Sequence, residues 1–177
     1  MDKGIIFVSG VHGVGKSTLC TKLSNKTGIP FLSASTIIRE FKAENENINR
    51  LNAEVMSNAK AFNLGVKELL KKNDYYIIDG HTILLDENGD YIPIPPNIFS
   101  DLPIIKFVTM YNDLSVIGER MSNDIPKNMD FLREFQNLEL NQSLFISQQC
   151  NFELEYFHSS GSLDDFSSIF KCIESTA

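Results

Sequence analysis

The sequence predicts an α/β fold of three layers, in which helices cover both faces of a parallel β-sheet. Short apolar segments typical of buried strands alternate with amphipathic segments typical of helices along the whole chain. This alternation indicates parallel strands joined by right-handed helical crossovers. The chain has 177 residues and no internal repeat, which fits a single domain over 1–177.

In the first half of the chain, each predicted helix has a recognisable boundary. The first helix ends before Gly28, a residue type common just past helix C-termini. Small hydroxyl residues at 33–36 are suited to cap the second helix. The third has apolar residues at helical spacing, and the Asn-rich stretch 42–58 before it predicts a small, mostly helical insert. In order, the elements are strand 4–9, helix 17–25, strand 29–32, helix 37–41, helix 61–72 and strand 75–79.

The second half contains a long connection without a regular pattern, followed by two more strands. Residues 86–103 hold four of the six prolines, and a connection of this length in a compact domain is usually functional. The helix at 131–149 has phenylalanines near one stripe. In order, the elements are strand 104–109, helix 114–121, polar loop 122–130, helix 131–149, strand 152–157 and helix 164–174.

The net charge and the cysteine content indicate which binding partners and which cellular compartment to expect. The formal net charge is −7, which weighs against wide contact with a long nucleic acid. Three distant cysteines indicate a reducing compartment, and with no segment resembling a signal peptide or a membrane span we expect a cytoplasmic protein. The sequence does not indicate a protein partner.

The segment 10–18 is the most specific feature of the sequence. It reads G-V-H-G-V-G-K-S-T and matches G-x-x-x-x-G-K-[ST], the phosphate-binding loop, with a strand before it and a helix after it. Its glycines let the backbone approach phosphate oxygens, and its amides form an anion nest at the start of a helix. The predicted nucleotide-binding residues of the loop are Gly10, Gly13, Val14, Gly15, Lys16, Ser17 and Thr18.

Two side chains of the loop have predicted chemical roles that need a partner from another strand. Lys16 is expected to reach the β- and γ-phosphates, and the Ser17 hydroxyl to bind Mg²⁺. Asp79 ends an apolar strand and is the best candidate for a second Mg²⁺ ligand, because Mg²⁺ prefers hard oxygen ligands. The alternative for Asp79 is an ordinary turn residue before Gly80. The carboxyl ends of parallel strands share one edge, so Asp79 should face the loop.

Phosphoryl transfer also needs cations around the moving group. Arg39 and Arg120 are the first candidates for phosphate contact, followed by Lys127, Arg133 and Arg50; the alternative for each is a solvated surface charge. Two interpretations of His81 remain: it contacts substrate, or it is a neutral histidine whose ring hydrogen-bonds to the backbone. No chemistry is assigned to His12.

Three segments together resemble the nucleoside monophosphate kinases, and most closely the archaeal-type adenylate kinases. They are the phosphate loop, S-A-S-T-I-I-R at 33–39 and D-G-H-T at 79–82. The resemblance implies a P-loop NTPase fold with strand order 2-3-1-4-5, an acceptor-binding insert at 35–70 and a lid over ATP at 120–130. It also implies that Arg39 contacts the acceptor's phosphate and that Arg120 is the arginine at which the lid segment begins.

The lid departs from the family's arginine-rich pattern. Residues 120–127 read R-M-S-N-D-I-P-K, so that Asn123 and Lys127 stand where the family has arginines. Outside the lid, Leu85 stands where the family has a basic residue. Lysine lacks the bidentate fork of arginine. The predicted function is transfer of the γ-phosphoryl of Mg·ATP to a nucleoside monophosphate or related small acceptor, with catalytic residues Lys16, Arg39 and Arg120 and with Lys127 on the nucleotide. The alternatives are an ATP-dependent switch or accessory ATPase, and a kinase of nucleosides or polynucleotide 5′-hydroxyls.

Overall fold

The computed structural model describes residues 3–42, 51–121 and 127–162 of the chain. The predicted closing helix at 164–174 and the candidate Arg50 lie outside these residues, as does the stretch 122–126 of the predicted lid with Asn123. Within the described part, no helix is long and apolar enough to cross a membrane.

Five parallel strands form the main sheet, as the sequence predicts. The order is β2-β3-β1-β6-β7. Its numbering differs from the predicted 2-3-1-4-5 because two short strands of a separate ribbon, β4 (Ile83–Leu85) and β5 (Tyr91–Pro93), lie between the third and fourth strands of the sheet in the chain. The five strands are β1 (Gly4–Ser9), β2 (Phe31–Ser33), β3 (Tyr75–Asp79), β6 (Ile104–Tyr111) and β7 (Leu154–His158).

Helices cover both faces of this sheet, which confirms the three layers. Along β1, Ile6 and Val8 belong to one buried cluster, whereas Ile5 and Phe7 belong to the other. Alternate residues of a strand point to opposite faces, so each face has its own core. The helices are α1 (Lys16–Thr27), α2 (Ala34–Phe41), α3 (Leu51–Leu69), α4 (Leu114–Arg120) and α5 (Met129–Cys150).

Helix α3 begins ten residues before the predicted start at 61, and this prediction was wrong. The Asn-rich composition of 42–58 suggested a loosely packed insert. The apolar spacing continues through it, however, with Val55, Ala59, Phe62 and Val66 at intervals of four, three and four residues. These four residues pack in the cluster shared with α2. Burial of one continuous stripe therefore decides where the helix begins, not the low helix propensity of asparagine.

The connection 86–103 is more regular than predicted. Strands β4 (Ile83–Leu85) and β5 (Tyr91–Pro93) form an antiparallel ribbon, and a 3₁₀ turn follows at Pro96–Ile98. Asp86 closes the loop of the ribbon, because its Oδ1 accepts the N–H groups of Asn88 and Asp90, both at 2.8 Å. The prolines and polar residues of this connection led to the prediction of an irregular loop, and strands of three residues carry only a weak hydrophobic pattern against such signals.

Candidate nucleotide-binding site

The phosphate loop joins β1 to α1 and has the backbone that its glycines predict. Gly10 and Gly13 have φ of 147° and 80°, which favours glycine. A Cβ atom added to Gly10 would lie 2.9 Å from the carbonyl oxygen of Met110, and one added to Gly13 would lie 2.8 Å from the carbonyl oxygen of Ile117. The loop therefore packs against β6 and α4, and no larger residue fits at either position.

Lys16 is the first residue of α1, and its ammonium group lies inside the loop. Its Nζ donates to the carbonyl oxygens of Gly10 at 2.7 Å and Val11 at 3.1 Å. Burial lowers the pKa of Lys16 to about 8, against the opposing negative charges of Glu139 and Asp79. A buried cation whose hydrogen bonds go to neutral carbonyls is well placed for an anionic ligand.

Ser17 and Asp79 lie side by side, as the sequence predicts. The Ser17 hydroxyl donates to Asp79 Oδ2 at 2.8 Å. Asp79 ends β3 and pairs in register with Val8 and Ser33 on the two neighbouring strands. Burial raises the pKa of Asp79, while the Ser17 hydrogen bond and the charge of Lys16 act in the opposite direction. Two adjacent hard oxygens fit Mg²⁺, which takes one or two protein ligands beside phosphate oxygens and water.

The side chains predicted to contact phosphate differ in where they lie relative to the loop. Arg120 ends α4 and lies beside the loop, since a Cβ built on Gly15 would be 3.6 Å from one of its guanidinium nitrogens. Arg39 is exposed in the last turn of α2, and Lys127 is exposed just before α5. Arg133 pairs with Asp130 at 2.8 Å on the surface of α5. Of the arginines in the described residues, Arg120 alone lines the cavity above the loop.

That cavity has a volume of about 770 Å³ and two chemically different ends. The phosphate end is formed by the loop, Asp79 and Arg120. The far end, which we call the apolar chamber, is enclosed by α2, α3, the ribbon and the 3₁₀ turn. Its apolar lining residues are Phe7, Ile38, Val55, Ala59, Phe62, Leu84, Ile94, Ile98 and Phe99.

A sequence profile described as an AAA domain matches residues 9–134 of the chain. The match covers the phosphate loop, the apolar chamber except Phe7, and the start of α5. The chain belongs to this AAA domain family. Its architecture is the parallel-sheet P-loop kinase fold.

One curated relative and several solved structures are similar to this AAA domain protein. A cytidylate kinase of Methanosphaera stadtmanae is 31% identical over 102 residues, which is 53% of this chain and 58% of the relative. The chain therefore spans little more than half the length of that relative.

The solved structures show the fold alone, because their sequence identities are low. A gluconokinase from Sinorhizobium meliloti is 17% identical with a TM-score of 0.51, covering 92% of this chain and 86% of that one. A shikimate kinase from Bacteroides thetaiotaomicron is 18% identical with a TM-score of 0.52, covering 88% and 86%. A protein from Eubacterium ventriosum described as uncharacterized is 14% identical with a TM-score of 0.53, covering 98% and 99%.

The AAA domain of this chain also places two histidines together at the cavity. The rings of His12 and His81 have centroids 4.2 Å apart, and both residues line the cavity. His81 Nδ1 is buried and has no hydrogen-bond partner within the described residues. Burial, then the charge of Lys16, lowers the pKa of His81, so the neutral ring is favoured. The sequence analysis missed the contact of His12 with His81, because the motif allows any residue type at the position of His12.

Glu139 is the main site residue that the sequence analysis missed. It lies in α5, is 1% exposed, and contacts the backbone beneath the phosphate loop. Burial raises the pKa of Glu139, opposed by backbone N–H groups and by the charge of Lys16. A signal was available: Leu132, Phe135, Glu139 and Ile146 share one helical stripe, and a carboxylate at a core position of such a stripe requires buried partners.

Proposed function

We propose that the protein transfers the γ-phosphoryl group of Mg·ATP to a nucleoside monophosphate or a closely related small acceptor. The supporting observation is the two-ended cavity, in which the phosphate loop opens directly into the apolar chamber. In this proposal the apolar chamber binds the acceptor, and we call it the acceptor chamber from here on. A site that only hydrolysed ATP would need room for water, whereas this cavity of about 770 Å³ continues past the phosphate end between apolar walls suited to a second organic substrate.

Each residue of the phosphate end has a role in this reaction. Lys16 and the loop amides bind the β- and γ-phosphates, and Arg120, with Lys127 from the lid, neutralises charge on the transferred group. Ser17 and Asp79 would hold Mg²⁺, which when bound supplies charge neutralisation at the phosphate oxygens. The segments 120–130 and 35–70 serve as lid and acceptor-binding insert, and lid closure excludes water as a competing acceptor.

The acceptor chamber favours a nucleobase over a sugar acid or polyol as the group it binds. Phe62 and Phe99 provide flat apolar surfaces near the chamber, which suit a heterocyclic ring. A polyhydroxylated acceptor would leave hydroxyl groups against apolar walls, at a cost for each unpaired group. The similarity to a cytidylate kinase agrees with a nucleoside monophosphate, while the base itself is left to experiment.

Arg39 is the proposed contact for the acceptor's phosphate. It directly follows Ile38, a residue of the chamber wall, but its own side chain is exposed. Because the described chamber walls hold no arginine of their own, two other functions have support. An acceptor without phosphate, such as a nucleoside, would need no such cation, and neither would an ATP-dependent switch with a weakened acceptor site.

One assay separates these functions. The protein is incubated with Mg·ATP and, in turn, AMP, CMP, UMP, GMP, the deoxynucleotides and the nucleosides, while ADP and the phosphorylated acceptor are measured separately. Stoichiometric ADP and diphosphate from one monophosphate would support the proposal. Product from nucleosides alone would support the second function, and slow ADP release that ignores every acceptor would support the switch. A Lys16→Ala variant at full activity would contradict all three.

A further inference from the structure

The carboxylate of Glu139 accepts hydrogen bonds from three backbone amides that come from two separate segments of the chain. Its Oε1 accepts the N–H of Gly10 at 3.0 Å and the N–H of Thr82 at 2.9 Å. Its Oε2 accepts the N–H of Ile83 at 2.8 Å. All three partners are donors, so they match an ionised carboxylate, which only accepts hydrogen bonds.

These amides belong to the two ends of the cavity. Gly10 begins the phosphate loop, and its carbonyl oxygen accepts the Lys16 ammonium at 2.7 Å. Ile83 is the first residue of the ribbon and Thr82 precedes it, while the next residue, Leu84, lines the acceptor chamber. The Glu139 side chain therefore links the phosphate loop to a wall of the acceptor chamber through hydrogen bonds.

The main chain of Glu139 is itself held in place. Its carbonyl oxygen accepts the hydroxyl of Ser143 at 2.8 Å and that of Thr82 at 3.2 Å. Ser143 in turn shares a hydrogen bond of 3.1 Å with Ser9, the last residue of β1. A residue fixed at both its backbone and its carboxylate is suited to hold two loops at a set separation.

We propose that Glu139 is a positioning residue, which sets the separation of the phosphate loop and the chamber wall for phosphoryl transfer. This role rests on the proposed function, because it concerns the alignment of two substrates. Transfer requires the acceptor oxygen in line with the γ-phosphate, and a displacement of about 1 Å can cost about 100-fold in rate. A structural role alone would stabilise the fold without affecting turnover per folded molecule.

Glu139→Gln is the variant that separates these roles. It keeps the size of the side chain and one oxygen, but it turns an NH₂ group toward at least one N–H donor. The matched control is Ser147→Ala, two helical turns away on α5, which removes a bond of 2.8 Å to the Leu144 carbonyl oxygen and touches none of the contacts of Glu139. Thermal melts give the folded fraction of each variant at the assay temperature.

The measurements are the kcat for transfer at saturating ATP and acceptor, the ratio of free phosphate to phosphorylated acceptor, and the Kd for Mg·ADP. In Glu139→Gln we expect kcat to fall about 10- to 100-fold and the ratio to rise, with the Kd changed by less than about threefold. Ser147→Ala should keep its kcat within about twofold of the wild type. Should Glu139→Gln not melt cooperatively, Glu139→Asp replaces it with the same expectation, since its shorter stem cannot reach all three amides.

A kcat and a partition ratio of Glu139→Gln equal to those of the control would overturn the positioning role and leave the proposed function intact. A wild-type protein that transfers phosphate to no acceptor would instead remove the proposed function, and the role of Glu139 with it.

Discussion

The two ends of the cavity differ in how they are built. The phosphate end comes mainly from one continuous segment, residues 10–18, completed by Asp79 and Arg120. The acceptor chamber collects side chains from α2, α3, the ribbon and the 3₁₀ turn, which are far apart in the chain. The first end depends on backbone amides, whose positions a short motif specifies; the second depends on packing, which no short motif specifies.

Loss of the Lys16 ammonium should have the largest effect, because it disables the phosphate end directly. We expect Lys16→Ala to lower kcat about 100- to 1000-fold, since a buried charge in the loop is worth several kcal/mol to the transition state. The control is Lys22→Ala, an exposed lysine of α1, which should keep wild-type activity. Steady-state rates and melting temperatures of both variants check this.

Removal of the Asp79 carboxylate should be the next largest effect, and it should depend on Mg²⁺. We expect Asp79→Asn to lower the rate about 100-fold at limiting Mg²⁺, with partial recovery as Mg²⁺ rises, because an amide oxygen is a weaker ligand. Asp101→Asn changes an exposed carboxylate and should show wild-type behaviour. Magnesium titrations that overlap for the two variants would exclude Asp79 as a metal ligand.

At the acceptor chamber, Asn58 provides a matched pair of variants. Its Oδ1 is buried without a partner in the described part of the chain, and the residue lines the cavity. Asn58→Leu should raise the KM for the acceptor about tenfold and leave the KM for ATP unchanged, because a lost polar contact discriminates between substrates. The control is Asn63→Leu, which replaces another unpartnered Oδ1 on α3 away from the cavity.

Both asparagine variants should melt at or above the wild-type temperature, since each removes a buried, unsatisfied oxygen. If the acceptor's KM rose equally in both, the effect would come from α3 as a whole and not from a contact of Asn58 with the acceptor.

The smallest predicted effect is a pH dependence confined to the phosphate end. Phosphate binds the charged form of Lys16, whose pKa in the free protein is about 8. Mg·ADP affinity should therefore fall about fourfold between pH 7 and pH 8.5, because the fraction of charged lysine falls by that factor. Calorimetry over this range checks it. An affinity that rises with pH would have the wrong sign for a lysine contact.

The same contrast explains which features the sequence could predict. The loop, its glycines and the Ser17–Asp79 pair depend on local geometry and on the rule that parallel strands present their carboxyl ends at one edge. The exposed position of Arg39 depends on how far α2 turns from the chamber, which spacing along one helix does not determine. The early start of α3 and the ribbon depend on tertiary burial, which outweighs composition over short segments.

Glu139 shows where pattern analysis could have gone further. Its place on the buried stripe of α5 was visible in the sequence, but the three amides it binds lie 56 to 129 residues away in the chain. Since backbone amides carry no sequence signature, a stripe can reveal that a carboxylate is buried but not what it holds.

The binding of a bisubstrate compound tests the two-ended cavity most directly. Compounds in which adenosine is joined through five phosphates to each of the four nucleosides would occupy both ends at once. We predict that one of them, with Mg²⁺, binds at least about 100-fold more tightly than ADP in calorimetry, because linked groups bind with a high effective concentration. Asn58→Leu should reduce this advantage without weakening ADP. If all four compounds bound no more tightly than ADP, the chamber would not be an acceptor site and phosphoryl transfer between two nucleotides would be contradicted.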